Sequence, residues 1–257
     1  MKIGIPGCTG RVGSLLVSEL LSGDWPGLQL AGGTSRKGKN GIAGASYFVT
    51  DSARALFEKS DLIIDFTLPE ATREHIELAK ELKKPILIAT TGLTPEDETA
   101  IGKLAMSVPV LYAANTSIAV NVLAALVEKA AKAMGPEFDI EIVEAHHKHK
   151  LDAPSGTAIM LGRTAAQARG IEFEPHAVIS REGHTGERKS GDIGFATVRG
   201  GDAAGEHTVY FLGDGERLEL KQQASNRSLY AKGALKSAIW LKEQPAGLYS
   251  MRDVLGL

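Results

Sequence analysis

The chain has 257 residues, which suits one large domain or two modest ones, and its 43% of hydrophobic residues can fill a core. A formal net charge of −2 argues against a broad basic surface for nucleic acid or anionic membrane, so an anionic ligand would need a local basic pocket. The single cysteine, Cys8, excludes an intramolecular disulfide and fits a reducing compartment.

The opening MKIGIPG breaks its apolar run with glycine and proline, unlike a signal peptide, and Lys2–Ile5 reads as a short strand. Arg11 to Leu21 has helical spacing, with Val12, Leu15, Leu16 and Leu20 on one side. Leu28–Ala31 reads as a strand, and Leu62–Phe66 as one buried on both faces. A helix follows from Pro69 to Leu82, then a strand at Pro85–Ala89. Thr94-Pro95-Glu96-Asp97 starts another helix, with Thr as cap, Pro in the first turn and acids at the positive dipole end. Val108–Ala113 is the next strand. Alternating units of this kind imply a parallel sheet. Ser117 to Met134 is helical; its most apolar part, Ile118 to Val127, is too short to span a bilayer, so a soluble cytoplasmic protein is expected. Asp139–Glu144 alternates as a half-buried strand. Thr157 to Arg169 is helical in pattern. AVIS, IGFATV, HTVYFL and RLEL then suggest an open, mixed or antiparallel sheet, and Ser228 to Leu241 is a last long helix. The expected fold class is α/β: a Rossmann-type parallel-sheet dinucleotide domain (residues 1–117 and 228–257) plus a second α+β domain with an open mixed sheet (118–227).

Gly7-Cys8-Thr9-Gly10-Arg11-Val12-Gly13 lies between the first strand and the first helix, where such a domain holds a pyrophosphate on backbone N–H groups. The spacing is GxxGxxG, and an ordinary glycine-rich turn would also read this way. About 20 residues on, where an acid would bind the ribose of NAD, stand Ser35, Arg36 and Lys37. The two basic residues suit a 2′-phosphate, with a solvated basic turn as the alternative. The reading leans to NADPH, with NADH as the other cofactor. Thr67, Ala89-Thr90-Thr91 and Ala113-Ala114-Asn115-Thr116 all sit at parallel strand ends, where ligands bind and where turns also use such residues.

The most informative segment runs from Glu141 to Ala158. His146, His147, Lys148, His149 and Lys150 are consecutive in an otherwise slightly acidic chain. Ser155-Gly156-Thr157 follows, with the look of a helix N-terminus whose N–H groups suit a carboxylate. Together they describe a pocket for a small polyanion, with a histidine for proton transfer near neutral pH and a lysine to bind and polarise. A metal site would need the histidines to converge, but neighbours point apart and no acid is conveniently spaced, so no metal is expected. An exposed basic loop would explain the charge but not the Ser-Gly-Thr turn.

E-[IV]-x-E-x-H-H-x-x-K-x-D-x-P-S-G-T-A, matched from Glu141 to Ala158, resembles the signature of the 4-hydroxy-tetrahydrodipicolinate reductase family. The likeness extends over the whole chain, through the glycine loop, Asp65-Phe66-Thr67, Thr90-Thr91-Gly92 and Ala113-Ala114-Asn115 to Ser180–Arg188, Ile193–Arg199, Gly205–Thr208 and Met251–Leu255. The resemblance implies NAD(P)H-dependent reduction of a small dicarboxylate in lysine and diaminopimelate biosynthesis. It casts His146 as proton donor or acceptor and Lys150 as a proton donor that also holds substrate. It assigns His147, Ser155, Gly156, Thr157 and a hinge residue, Arg227, to substrate. The nucleotide would meet residues 7–12, Ser35, Arg36, Thr67, Ala89 to Thr91 and Ala113 to Thr116. It further implies a homotetramer formed through the second domain's sheet, with no nucleic-acid or membrane partner.

Three positions depart from the family pattern. Ser35 stands where Glu is common, which strengthens the NADPH reading. Ala89 stands where many have Gly. Thr116 stands where many have Phe, removing an apolar wall of the expected nicotinamide pocket. Two other functions fit a dinucleotide fold: a related reductase of amino-acid semialdehydes, and a non-catalytic NAD(P)H sensor that would not need the His/Lys/Ser-Gly-Thr segment.

Overall fold

A computed structural model describes residues 1–36 and 46–257, and Lys37 lies outside the described residues. Two units emerge, Met1–Ile118 with Arg227–Leu257, and Ala119–Asn226. In chain order the first unit builds β1 (Lys2–Ile5), α1 (Gly13–Ser22), β2 (Gln29–Thr34), β3 (Val49–Thr50), α2 (Ala53–Lys59), β4 (Leu62–Asp65), α3 (Pro69–Leu82), β5 (Ile86–Ile88), α4 (Pro95–Ala105) and β6 (Pro109–Tyr112). Then come α5 (Ile118–Met134), β7 (Asp139–His146), α6 (Gly156–Arg169), α7 (Phe173–His176), β8 (Ala177–Val178), β9 (Ile193–Arg199), β10 (Gly205–Gly213) and β11 (Glu216–Ala224). The chain ends with α8 (Ser228–Leu241), β12 (Gly247–Tyr249) and α9 (Met251–Leu255), back in the first unit.

The first unit's strands form one sheet in the order β12-β6-β5-β4-β1-β2-β3, with every neighbouring pair parallel. From β3 to β6 this is the doubly wound order whose direction reverses between β1 and β4. The apolar runs form central strands because both faces are covered. Ile63, Ile86, Ile88 and Val110 pack with Phe57, Ile76, Ile101 and Leu104 of α2, α3 and α4. Their neighbours Ile64, Leu87 and Leu111 point the other way, among Leu16 and Leu20 of α1 and Ala234 and Leu235 of α8. Strand β2 runs past the expected Leu28–Ala31 into Gly32 and Gly33. Those glycines mark close approach rather than a strand end: a Cβ on Gly32 would lie 2.5 Å from the Phe48 carbonyl oxygen.

The second unit's sheet runs β11-β10-β7-β9-β8 and is mixed: β10 is antiparallel to β7 and β11, while β9 is parallel to β7 and β8. On one face Ile140, Ile142, Phe195, Val209 and Phe211 pack against Val127 of α5 and Leu161 and Ala165 of α6. Strand alternation places Glu144, His146, Thr197, Arg199 and His207 further along that same face. The apolar end anchors the sheet to the helices, and the polar end gathers Glu144, His146, Thr197, Arg199 and His207. No helix among the described residues is long and apolar enough to cross a membrane.

Candidate functional site

In the first unit, β1 delivers the chain into a turn before α1 starts at Gly13. Gly7 is left-handed, with φ 65°, and its N–H donates to Thr34 Oγ1 at 3.0 Å. The Cys8 N–H donates to the Thr34 carbonyl oxygen at 3.0 Å, and Gly10 N–H to that of Gly7 at 2.8 Å. A side chain at Gly13 would collide with the Gly7 carbonyl, and one at Gly33 with Cys8. The loop therefore folds flat against both the helix start and β2, with no room for a side chain at Gly13 or Gly33. Its position at the carboxyl end of β1, beside the switch point, suits a pyrophosphate on helix N-terminal N–H groups, so the residues present fit a dinucleotide. Burial pushes the Cys8 thiol up, which keeps it protonated and speaks against a redox role.

Beside this loop lies a buried polar cluster. The Asp65 carboxylate accepts from the Thr67 N–H at 2.8 Å, the Thr67 hydroxyl at 2.6 Å and the Thr72 hydroxyl at 2.9 Å, and it meets His75 Nδ1 at 2.7 Å. Thr72 and Thr90 hydroxyls lie 2.7 Å apart. Burial raises the Asp65 pKa, but the bonds from His75 and Thr67 outweigh it and hold the carboxyl below its usual range. The cluster ties the loop after β4 to the loop after β5. Thr67 also faces the glycine loop, its methyl 3.0 Å from where a Cβ on Gly7 would be.

In the second unit, Glu144 and His146 alternate onto one face of β7, and His146 Nδ1 meets Glu144 Oε2 at 2.6 Å. Arg199 grips the same carboxylate at 2.7 and 2.8 Å. The Ser155 N–H donates to Glu144 Oε1 at 3.1 Å. Burial pushes Glu144 up, but Arg199 and His146 overcome it and the carboxyl ends below its usual range. His207 sits edge-on to His146, with ring centroids 5.2 Å apart, and burial pushes its pKa down to about 4. The chain then turns sharply, Lys150 N–H donating to the His147 carbonyl oxygen at 3.1 Å. Lys150 Nζ forms a two-pronged pair with Asp152, at 2.8 and 2.9 Å. Ser155 caps α6, its Oγ accepting from the Ala158 N–H at 3.1 Å and lying 3.0 Å from His207 Nε2. Lys150, His146 and the start of α6 lie at this end of the sheet, groups of the kind that bind a small polyanion, although Lys150 is paired with Asp152 and Arg199 with Glu144. Among the described residues no three His, Cys, Asp or Glu side chains group to hold a metal ion.

The sequence-expected residues take distinct places. Gly7, Cys8, Thr9, Gly10, Arg11 and Val12 form the turn; Arg36 is exposed and Ser35 buried. Ala89 and Thr90 are buried behind exposed Thr91, and Ala114 is exposed between half-buried Ala113 and Asn115. Thr116 is fully buried and donates its hydroxyl to the Tyr230 carbonyl oxygen at 2.8 Å, so its side chain is spent on α8 and offers a ligand no surface. Ser155 likewise points inward as a brace, with exposed Gly156 and half-buried Thr157 beyond it. His146, His147 and Lys150 are brought together in the second unit, while Arg227 precedes α8 in the first. Residue reading missed the roles of Glu144, Arg199 and His207. The expected strand stopped at Glu144; the structure carries it on to His146, where the same period-2 pattern sets the two side chains on one face, but nothing in the sequence paired Glu144 with Arg199.

Two family models match the chain: "Dihydrodipicolinate reductase, N-terminus" over residues 1–116 and "Dihydrodipicolinate reductase, C-terminus" over residues 119–255. The 4-hydroxy-tetrahydrodipicolinate reductase of Zymomonas mobilis subsp. mobilis is 48% identical over 257 residues, covering 100% of this chain and 98% of the relative. That of Ralstonia nicotianae is 45% identical over 266 residues, covering 100% of both. Among solved structures, a dipicolinate-bound dihydrodipicolinate reductase from Paenisporosarcina sp. TG-14 has a TM-score of 0.79 at 24% identity, covering 97% of each chain. A probable dehydrogenase from Thermotoga maritima shares the fold at TM-score 0.60 and 14% identity, over 99% of this chain and 92% of that one.

Proposed function

We infer the reaction from one premise: the chain belongs to the dihydrodipicolinate reductase family. It reduces 4-hydroxy-tetrahydrodipicolinate to tetrahydrodipicolinate with a reduced nicotinamide dinucleotide, a step of lysine and diaminopimelate biosynthesis. The observation that carries this is full-length identity to curated relatives of that one name, across both halves of the chain.

When bound, the dinucleotide supplies the hydride. The turn from Gly7 to Val12 would hold its pyrophosphate at the start of α1, on backbone N–H groups other than those of Gly7, Cys8 and Gly10, which the turn itself uses, and Thr67, Ala89 to Thr91 and Ala113 to Asn115 would line the strand ends. Arg36, exposed and with no nearby acid in the sequence to select a free ribose, takes a 2′-phosphate, which makes NADPH the preferred cofactor and NADH the second. The substrate is a small dicarboxylate. Lys150, His147 and the Gly156 and Thr157 N–H groups at the start of α6 hold its carboxylates, with Arg227 as a further partner. The 4-hydroxyl leaves as water, which turns the ring into a conjugated imine, and hydride arrival then leaves an electron pair on a neighbouring ring atom. His146 or Lys150 delivers a proton there, and their positive charge lowers the barrier. The second unit's sheet serves a homotetramer, and the compartment is the cytoplasm.

The test is a coupled assay in which the preceding synthase makes the substrate in situ from aspartate semialdehyde and pyruvate, followed by NADPH and NADH absorbance. Oxidation that requires both the synthase product and this protein is expected, faster with NADPH. Oxidation of neither cofactor by folded protein would overturn the reading. Arg36→Ala should raise KM for NADPH about tenfold and leave NADH alone; equal effects would remove the 2′-phosphate role.

A further inference from the structure

Glu144 is the most enclosed charge in the second unit, its side chain 0% exposed. A buried carboxylate survives only with full compensation, and Glu144 has it from three separate segments. Arg199 on β9 pairs with both oxygens, Thr197 on β9 lies 3.3 Å from Oε1, and the Ser155 N–H reaches Oε1 from the cap of α6. The remaining partner is His146 Nδ1, at 2.6 Å. An ionised carboxylate can only accept, so the proton in that short contact belongs to the imidazole. The other ring nitrogen points elsewhere: Nε2 lies 3.0 Å from where a Cβ on Gly205 would stand, and Gly205, at φ 151°, has none.

We propose that Glu144, locked by Arg199, is the positioning residue that fixes His146 as the Nδ1–H tautomer and leaves Nε2 as the atom that exchanges a proton with substrate. For its catalytic consequence this rests on the reading of His146 as a proton-transfer residue. The step balances simply. The Nε2–H bond breaks with its electron pair staying on nitrogen, and the proton joins the substrate atom left electron-rich by hydride. The Nδ1–H bond to Glu144 persists, and water reprotonates Nε2. Arg199 has a second duty, donating from Nη2 to the Asp152 carbonyl oxygen at 2.7 Å, so one guanidinium anchors both the His146 orienter and the loop that carries Lys150. The charged and titratable groups around His146 are Glu144 on its own strand, Arg199 on β9, His207 on β10, and Lys150 with Asp152 in the following loop. Of these Glu144 alone is hydrogen-bonded to the ring.

The experiment is nitrogen-15 NMR of histidine-labelled full-length protein without ligands, with His146 assigned by its loss in His146→Asn. Wild type should show a protonated Nδ1 and a pyridine-type Nε2 when the ring is neutral. Glu144→Gln should mix the tautomers, lower kcat about 10²-fold or more with KM changed less than about threefold, and move the pH–rate profile of kcat to lower pH. Glu144→Asp, which keeps the charge, should recover part of kcat and the profile, and covers the case of a poorly folded amide. A neutral Nε2–H tautomer in wild type overturns the proposal, as does Glu144→Gln with wild-type tautomer and kcat. The tautomer is read in the resting protein. Full turnover by His146→Asn would therefore remove His146 from proton transfer while leaving the tautomer result to stand by itself.

Discussion

A Cβ on Gly13 would lie 2.2 Å from the carbonyl oxygen of Gly7, across the turn that joins β1 to α1. Both groups are backbone, so no side chain can yield. Gly13→Ala must push the helix start away from the loop. We expect a cost of about 1–3 kcal/mol, read as a lower Tm, and at least tenfold weaker NADPH binding by fluorescence. Gly10→Ala is the control: its Cβ would stand 3.1 Å from the same oxygen, close enough for a small shift to absorb. Equal loss from both would mean that overall loop rigidity, not the Gly13 contact, sets the effect.

Asp65 shows how the loops after β4 and β5 are braced from behind. Its carboxylate is fully buried and bonded to Thr67, Thr72 and His75. Asp65→Asn keeps the shape but removes the charge that His75 Nδ1–H answers. Removing one member of a buried pair costs about 3–5 kcal/mol, measurable by urea unfolding. Because its folded pKa is lowered, Asp65 contributes stability above its unfolded pKa and loses it as pH falls through the folded value. Wild type and Asp65→Asn should therefore converge in acid, and parallel curves down to the acid limb would count against an ionised Asp65.

The first unit was legible because burial on both faces leaves continuous apolar runs such as LIID and ILI, and because Thr94 and Asp97 make a complete capping box. β3 and β12, two and three residues long, carry too little pattern to announce themselves. The basic segment was legible by charge alone, but its wiring was not. Arg199 reaches Glu144 across 55 residues, and His207 reaches Ser155 across 52. Only sheet register brings them together. Thr116 shows the reverse case: at a strand end it reads as a ligand contact, yet a bond to Tyr230, 114 residues on, turns it inward.

Lys150 and Asp152 form a pair in which the lysine side chain is 19% exposed and the aspartate 63%. Asp152 takes two of the three Lys150 N–H donors, so it competes with any substrate carboxylate for that charge. Asp152→Asn weakens the competitor, and since an exposed pair is worth at most about 1 kcal/mol, KM should fall no more than about fivefold. Lys150→Ala should instead lower kcat about 10²–10⁴-fold with little change in NADPH affinity. Steady-state kinetics separate the two. A higher KM in Asp152→Asn would show that the aspartate aims the lysine rather than competing for it.

His207 gives the sharpest pH signature. The ring is 4% exposed, and burial first, then the positive charge of His146, lowers its pKa from 6.5 to about 4. Between those values the unfolded chain takes up a proton that the folded chain refuses. The His207 contribution is therefore complete above pH 6.5 and drains away as pH falls toward 4. At about 1.4 kcal/mol per pH unit the ceiling is about 3 kcal/mol. His207→Gln keeps an amide that can bond Ser155 Oγ but has nothing to titrate. Carboxylates are common to both proteins, so the difference between wild type and variant isolates the ring. Denaturant unfolding at pH 7, 5.5 and 4.5 should show that difference shifting against wild type by about 2–3 kcal/mol. A difference independent of pH would mean that His207 becomes protonated inside the folded protein as easily as outside it, and that the polar end of this sheet admits water.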